Sequence, residues 1–198
     1  WNITKIFLKA LKTTYLEQKC FVRLRLNDDA MTYVGAKLRR SVVTRNVTTL
    51  DFHGNDFGAL GTSAIFCTRP NLNRPNLFWD KPDVHYMRLQ RLVFDFTPIG
   101  DGFGLQWVID AMIQKLLPQL EYLRLVGTRM TSNNAYRLFD ALGTTQAAPK
   151  LYSLNVSNNP FTGGAFESMR KESWSHANLS SLKACFVKNV DALGFSWL

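Results

Sequence analysis

The chain has 198 residues and a formal net charge of +9, from 24 basic and 15 acidic residues. Hydrophobic residues make up 46% and charged residues 20% of it, which indicates a folded globular protein and excludes bulk disorder. No apolar run approaches the ~18 residues that a membrane-spanning helix needs, so we expect no membrane span.

The three cysteines, Cys20, Cys67 and Cys185, are too few and too scattered for a disulfide framework. We therefore expect a reducing, intracellular compartment, either the cytoplasm or the mitochondrion. Lysines interrupt the apolar residues among the first twenty positions, so no secretory signal is predicted. Because the chain begins with Trp1 and not with methionine, we expect a segment of a longer protein or a processed product.

At the N-terminus, residues 1–19 place apolar side chains on one side of a helix, which predicts an amphipathic helix. Residues 1–45 hold 10 basic and 3 acidic residues, so most of the excess positive charge lies in the first quarter. That asymmetry predicts a polyanion or an acidic partner there, and a solvated helix face is the alternative. The apolar residues of the helix are Ile3, Phe7, Ala10, Leu11 and Tyr15.

An internal repeat runs through the rest of the chain. In the segment from Leu151 to Phe161, apolar residues occupy positions 1, 4, 6 and 11, and Asn159 stands at position 9. Positions 4 and 6 share one face of a strand because strand side chains alternate. Each copy therefore predicts a short strand with one buried face. The other copies begin at Phe21, Val47, Leu89, Leu120 and Leu179.

Between these strands the apolar spacing changes to that of a helix. Asp101 is the predicted N-terminal cap of one helix, and Ser132 or Asn133 is that of another. A single strand and helix cannot bury their apolar faces alone, so neighbouring units must stack. The apolar faces consist of Leu105, Val108, Ile109, Met112 and Leu116 in the first helix, and of Ala135, Leu138, Phe139 and Leu142 in the second.

The repeated strand pattern resembles that of leucine-rich-repeat proteins, and the long spacing with intervening helices is similar to their ribonuclease-inhibitor-like subtype. The resemblance implies an α/β solenoid with a curved parallel sheet on its concave face and helices on its convex face. In that family the side chain at position 9 bonds to the loop backbone of the adjacent turn. Asp29, Thr97 and Thr128 stand at this position and imply less regular loops than the family norm.

The resemblance covers roughly residues 20–198 and divides the chain in two. Residues 1–19 form either an N-terminal cap or the helix of a preceding repeat, and residues 20–198 form an array of five to six repeats. The interval between the second and third strands contains a proline-rich inserted loop at about 68–87. Leu77, Phe78 and Trp79 form an apolar cluster there, which either folds back over the array or anchors a partner.

Leucine-rich-repeat proteins bind partners on the concave face, and the resemblance implies the same use here. Strand positions 3, 5 and 7 point onto that face, away from the core. The alternative is a hydrated polar surface on which Arg25 pairs with Asp51, a contact that contributes only ~0–1 kcal/mol. The expected partner-binding residues are Arg23, Arg25, Asp51, His53, Arg91, Tyr122, Arg124, Asn155 and Lys183, together with Trp79 of the insertion.

The sequence offers little for catalysis, and we expect neither an enzyme nor a bound cofactor, metal or small-molecule substrate. The glycines between Gly100 and Gly104 follow a strand, but Leu105 stands where a dinucleotide-binding loop needs glycine. Those glycines are better explained as a strand-to-helix turn. The three histidines lie far apart and have no cysteine at metal-ligand spacing. They are His53, His85 and His176.

These observations predict a noncatalytic scaffold for protein–protein interaction, acting as a subunit of a larger assembly. The alternative is direct RNA binding by the basic N-terminal quarter, as in a ribonucleoprotein or ribosome-associated subunit. Binding of that kind falls steeply with salt, because phosphate contacts release counterions. The candidate RNA-binding residues are Lys37, Arg39, Arg40 and Arg45, in addition to Arg23 and Arg25.

Overall fold

The computed structural model describes residues 17–40, 46–67, 86–170 and 180–188. Within these ranges, short strands alternate with helices along the chain. The strands are β1 (Gln18–Cys20), β2 (Thr49–Asp51), β3 (Arg91–Val93), β4 (Tyr122–Arg124), β5 (Ser153–Asn155) and β6 (Ala184–Phe186). The helices are α1 (Asp28–Arg40), α2 (Ala59–Phe66), α3 (Gly104–Ile113), α4 (Ser132–Thr144) and a 3-10 helix (Gly163–Arg170).

The six strands form one sheet in chain order, and all five neighbouring pairs are parallel. The predicted α/β class is therefore confirmed. One leucine from each of the four middle strands lies opposite the next, which confirms the predicted alignment of β2 to β5. These ladder residues are Leu50, Leu92, Leu123 and Leu154.

The first and last strands lie in a different register from the predicted one. Lys19, and not Leu24, stands opposite Leu50 in the sheet. At the other edge, Cys185 and not Leu182 stands opposite Leu154. As a result, paired residues are 31 positions apart between all neighbouring strands except β2 and β3, where they are 42 apart. Residues 18 and 19, predicted as the end of a helix, belong to β1, and residues 1–16 lie outside the described ranges.

The stack of Phe21 on Phe52 and the exposure of Leu24 distinguish the observed register of β1 from the predicted one. The residue that follows β1, Phe21, packs against the neighbouring unit, where its ring stacks on that of Phe52 at a centroid distance of 5.1 Å. Leu26 is also buried, at 8% exposure, whereas Leu24 is 36% exposed. The predicted register would have buried Leu24 in the ladder instead. The structure thus buries an aromatic ring fully and accepts a lysine in the ladder position.

Helices and strands share one hydrophobic core. The predicted apolar faces of α3 and α4 are buried in it together with the ladder leucines, as the helical spacing requires. The predicted caps are wrong. The hydroxyl of Thr131 accepts from the backbone N–H of Asn134 at the start of α4, so the cap lies one residue before Ser132. No side chain caps α3, which begins at Gly104, three residues after Asp101.

Polar side chains in the loops after the strands bond one unit to the next. The Asn55 amide donates to the carbonyl oxygens of Phe21 at 2.6 Å and Phe52 at 2.8 Å. Its oxygen accepts from the backbone N–H groups of Leu24 and Leu26. In this row Leu24 takes the place predicted for Asp29, a correction that follows from the register of β1. The full row is Leu24, Asn55, Thr97, Thr128 and Asn159.

Lys19 is the one charged residue in the leucine ladder and is only 5% exposed. Burial lowers its pKa from the ordinary lysine value, because an ammonium group loses its hydration inside the protein. Folding at neutral pH therefore carries the cost of burying a charge.

We expect Lys19→Met to raise the free energy of unfolding by about 1 kcal/mol at pH 7, a common size for a stabilising substitution. Below the lowered pKa, the folded wild type carries the full cost of the buried ammonium. As the pH rises from that pKa towards the ordinary lysine value, the folded chain releases the proton first and the cost falls. Urea unfolding of both proteins should therefore show a smaller difference at pH 10 than at pH 7. A difference that is equal at both pH values contradicts this explanation.

Candidate functional site

The side chains that alternate with the leucine ladder lie on the opposite side of the sheet from the core. We call this side the open face. It has three rows across the six strands. The row at the strand starts is Gln18, Thr49, Arg91, Tyr122, Ser153 and Ala184, and the row at the strand ends is Cys20, Asp51, Val93, Arg124, Asn155 and Phe186. The row two residues further on is Val22, His53, Asp95, Val126, Ser157 and Lys188.

Most of the predicted partner-binding residues lie on the open face. The members that the structure brings together there are Asp51, His53, Arg91, Tyr122, Arg124 and Asn155. Arg23 and Arg25 do not belong to it, because the register of β1 places them, exposed, in the following loop. Lys183 precedes β6 by one residue and lies at the edge of the face. Trp79 lies outside the described residues.

Three of the candidate RNA-binding residues lie on α1. Lys37 is exposed on α1. Arg39 and Arg40 end the same helix, and Arg45 lies outside the described ranges. Arg23 and Arg25, which were expected to join them, stand in the loop between β1 and α1.

The centre of the open face holds one ion pair with a buried acid. The Arg124 guanidinium contacts the Asp95 carboxylate through Nη2 at 2.6 Å and through Nε at 2.8 Å. The other carboxylate oxygen accepts from the backbone N–H of Val126 at 3.0 Å. The Asp95 side chain is 3% exposed and that of Arg124 is 40% exposed. Asp95 therefore fixes an arginine whose outer side remains available to a ligand.

Asp51 does not form the ion pair with Arg25 that the alternative of a hydrated polar surface invoked. Cys20 of β1 stands beside Asp51 in the sheet. The Asp51 carboxylate accepts a hydrogen bond from the backbone N–H of His53 at 3.0 Å. Asn155 makes the same turn three strands away, accepting from the backbone N–H of Ser157. Both side chains are partly engaged by their own loops.

A strained aromatic residue stands at the edge of the open face. Phe96 has a left-handed backbone conformation, with φ 54°, and its side chain is 54% exposed. This conformation costs a bulky residue roughly 1 kcal/mol or more. The rings of Phe96 and His53 meet edge to face at 5.5 Å. On the other side the Phe96 ring lies over Gly127, where an added Cβ would come within 2.8 Å of it.

The neighbouring units show which residue types occupy the position equivalent to Phe96. The equivalent positions also have positive φ and hold Arg23, Gly54, Gly127 and Asn158. Glycine and asparagine adopt this conformation at little cost. Sequence reasoning missed Phe96 because it considered only strand positions 3, 5 and 7. The available signal was an aromatic residue at a position where two other units have glycine.

A groove lies at the opposite end of the strands, before β4, β5 and β6. Two of its walls are the rings of Tyr122 and Tyr152, tilted by 53° with centroids 5.8 Å apart. Its volume is about 460 Å³. We call it the tyrosine groove. Its lining includes Glu121, Tyr122, Lys150, Tyr152, Ser181 and Lys183.

The described residues show little that would support metal or thiol chemistry. Among them, no three His, Cys, Asp or Glu side chains come together as a metal site. Cys20 is exposed on the open face, but partial burial and the Asp51 carboxylate raise its pKa, against a lowering by Arg91. A raised pKa disfavours the thiolate, which is the reactive form of cysteine.

None of the helices in the described ranges combines the length and apolar character needed to cross a bilayer. A scan against protein-family models finds no family that matches the chain, and a search of curated proteins finds no significant match.

Proposed function

We propose that the chain is a noncatalytic leucine-rich-repeat solenoid, of the ribonuclease-inhibitor-like subtype, that holds a protein partner as a subunit of a larger assembly. The open face is the concave face in this proposal. The recurrent 31-residue spacing between paired strands supports it, because stacking of equal units requires a constant period. The bonds of Asn55 and Asn159 across adjacent units support it as well.

Phe96 is the observation that carries the binding proposal. Its backbone strain lowers stability, and more than half of its side chain is exposed to water. Neither property helps the fold, whereas a rigid exposed aromatic ring is a typical anchor at a protein interface. Since the ring is held between His53 and Gly127, little conformational entropy remains to be lost on binding.

Arg124 supplies the polar part of the same surface. Its two contacts with Asp95 set the orientation of the guanidinium before any partner arrives. Arginine is enriched among the residues that contribute most to interfaces. A preorganised arginine beside an exposed ring thus suits recognition of a folded partner.

The test removes the ring without breaking the fold. We expect Phe96→Asn to reduce partner capture at least about tenfold, the loss typical of an interface anchor. The free energy of unfolding should change by no more than about 1 kcal/mol, because asparagine tolerates the left-handed conformation. The measurement is affinity capture by the full chain from a cell lysate with and without nuclease, quantified by mass spectrometry.

Tyr33→Gln is the matched control, because it removes an aromatic ring that is 66% exposed on α1. Its capture should equal that of the wild type. Equal capture by Phe96→Asn and wild type would refute the proposed binding face. The other outcome is RNA binding. It would be indicated if capture disappeared with nuclease and weakened steeply between about 50 and 200 mM salt. Because the register of β1 removes Arg23 and Arg25 from the sheet, they would bind RNA from the loop before α1 and not from the open face.

A further inference from the structure

We propose that the tyrosine groove binds an acidic segment of the protein partner, through glutamate or aspartate side chains that reach its two lysines. This inference rests on the proposed function and adds the chemistry of the partner. The groove lies before the strands and Phe96 lies after them, at opposite edges of the open face. One partner can therefore contact both the groove and Phe96. Tyr122 and Gly127, over which the Phe96 ring lies, are five residues apart in the chain, so at most roughly 18 Å separates them.

The groove is built from equivalent positions of three successive units. The backbone N–H of Lys183 donates to the carbonyl oxygen of Tyr152 at 2.9 Å, and that of Tyr152 donates to Glu121 at 2.7 Å. These three residues each precede their strand by one position. Their side chains therefore stand side by side along the edge of the sheet.

Two lysines supply positive charge without carboxylate partners. Lys150 Nζ donates to the amide oxygen of Gln119 at 2.6 Å, and Lys183 Nζ reaches only the carbonyl oxygen of Ser180, at 3.5 Å. Both are exposed, and neither has an ion pair with a residue in the described ranges. With a net charge of +9 on the chain, these ammonium groups attract an acidic ligand.

The tyrosine rings give the groove apolar walls. Tyr152 is 47% exposed, and its ring is supported by that of Tyr122. Tyrosine contributes a large contact area at low entropic cost, and its hydroxyl can bond to a peptide backbone. The hydroxyl of Ser181 donates to the Pro149 carbonyl, so its lone pairs remain available to peptide N–H groups.

Glu121 favours a peptide over a nucleic acid. This residue lines the same groove as the lysines, and its negative charge repels a phosphate backbone, which carries a charge on every nucleotide. An acidic peptide can instead place isolated carboxylates at Lys150 and Lys183 and neutral backbone beside Glu121. The charge pattern of the groove therefore fits a segment with spaced acidic side chains.

The test is fluorescence anisotropy with the full chain and a labelled dodecapeptide of alternating glutamate and glycine. We expect Lys183→Glu to weaken peptide binding at least tenfold, because it replaces attraction by repulsion at an exposed position. Arg137→Glu makes the same charge change at an exposed position on α4 and should weaken binding less than twofold. Tyr152→Ser should weaken it about fivefold, while Tyr33→Ser leaves it unchanged.

Three results overturn the inference: no binding of the peptide to the wild type, equal losses in Lys183→Glu and Arg137→Glu, or tighter binding of a ten-nucleotide oligouridylate. Each can be separated from failure of the proposed function. If only the groove is wrong, capture of a partner still depends on Phe96 and is unaffected by Lys183→Glu. If only the proposed function is wrong, the peptide still binds in a Lys183-dependent way, while Phe96→Asn leaves capture unchanged.

Discussion

Replacing Asn159 with alanine is expected to lower the free energy of unfolding by about 3 kcal/mol. Its amide donates to the carbonyl oxygens of Leu125 at 2.7 Å and Val156 at 2.9 Å, and its oxygen accepts from the N–H of Met130. Asn159 is 2% exposed, so water cannot replace these bonds in alanine. Each buried group left without a partner costs about 1–3 kcal/mol.

Asn133→Ala is the matched control, because Asn133 is exposed in the first turn of α4. Its effect should stay within about 0.5 kcal/mol, as for most surface substitutions. Urea unfolding followed by circular dichroism gives both values. If Asn159→Ala were as mild as the control, bonding between units through this side chain would not be a source of stability.

The second large effect is expected at Phe52. Its ring lies between those of Phe21, at 5.1 Å, and Phe94, at 5.4 Å, and Phe57 meets it edge to face. Phe52 has no exposed surface, and three successive units contribute to the stack. We expect Phe52→Ala to cost about 4 kcal/mol, from lost burial and from the cavity that remains.

Phe52→Leu should cost less than about 1.5 kcal/mol, because Leu125 fills the equivalent place after β4 and the core can adjust to a similar volume. Thermal and urea unfolding of the two variants distinguish the effects of volume and aromatic stacking. Losses of the same size in Phe52→Ala and Phe52→Leu would mean that ring geometry, and not filled volume, holds these units together. A loss below about 1 kcal/mol in Phe52→Ala would contradict the described stack.

The sequence predicted the middle of the sheet well and its edges poorly, for a physical reason. In β2 to β5 the ladder position is always leucine, so hydrophobic spacing and burial agree. At the edges the ladder residues are Lys19 and Cys185. A search for leucine therefore selected Leu24 and Leu182, five and three residues away. Burial of Phe21 and pairing of the backbone decide the register instead, and both depend on tertiary contacts.

The sequence likewise predicts some residues of the candidate site and misses others. Asp51, Tyr122 and Arg124 follow from alternation once the strand is aligned, so the sequence placed them correctly. Asp95 could be placed on the face, but its bond to Arg124 depends on geometry between two units. Phe96 was missed although glycine stands at the equivalent position of two other units, because the strain of its left-handed backbone is visible only in the structure. The tyrosine groove needs the register of β6, which was predicted wrongly.

The register of β1 decides which side chains of the first unit join the open face, and a disulfide tests it most directly. Cys20 stands opposite Asp51 in the neighbouring strand, and paired strands are ~4.8 Å apart, within the Cα range of a disulfide. With Cys185→Ser present, oxidised Asp51→Cys should yield a bridge between Cys20 and the introduced cysteine, identified by peptide mass spectrometry. A second variant combines Cys20→Ser, Arg25→Cys, Asp51→Cys and Cys185→Ser, and it should remain unbridged. A bridge in the second variant and none in the first would contradict this register, and with it the assignment of the open face.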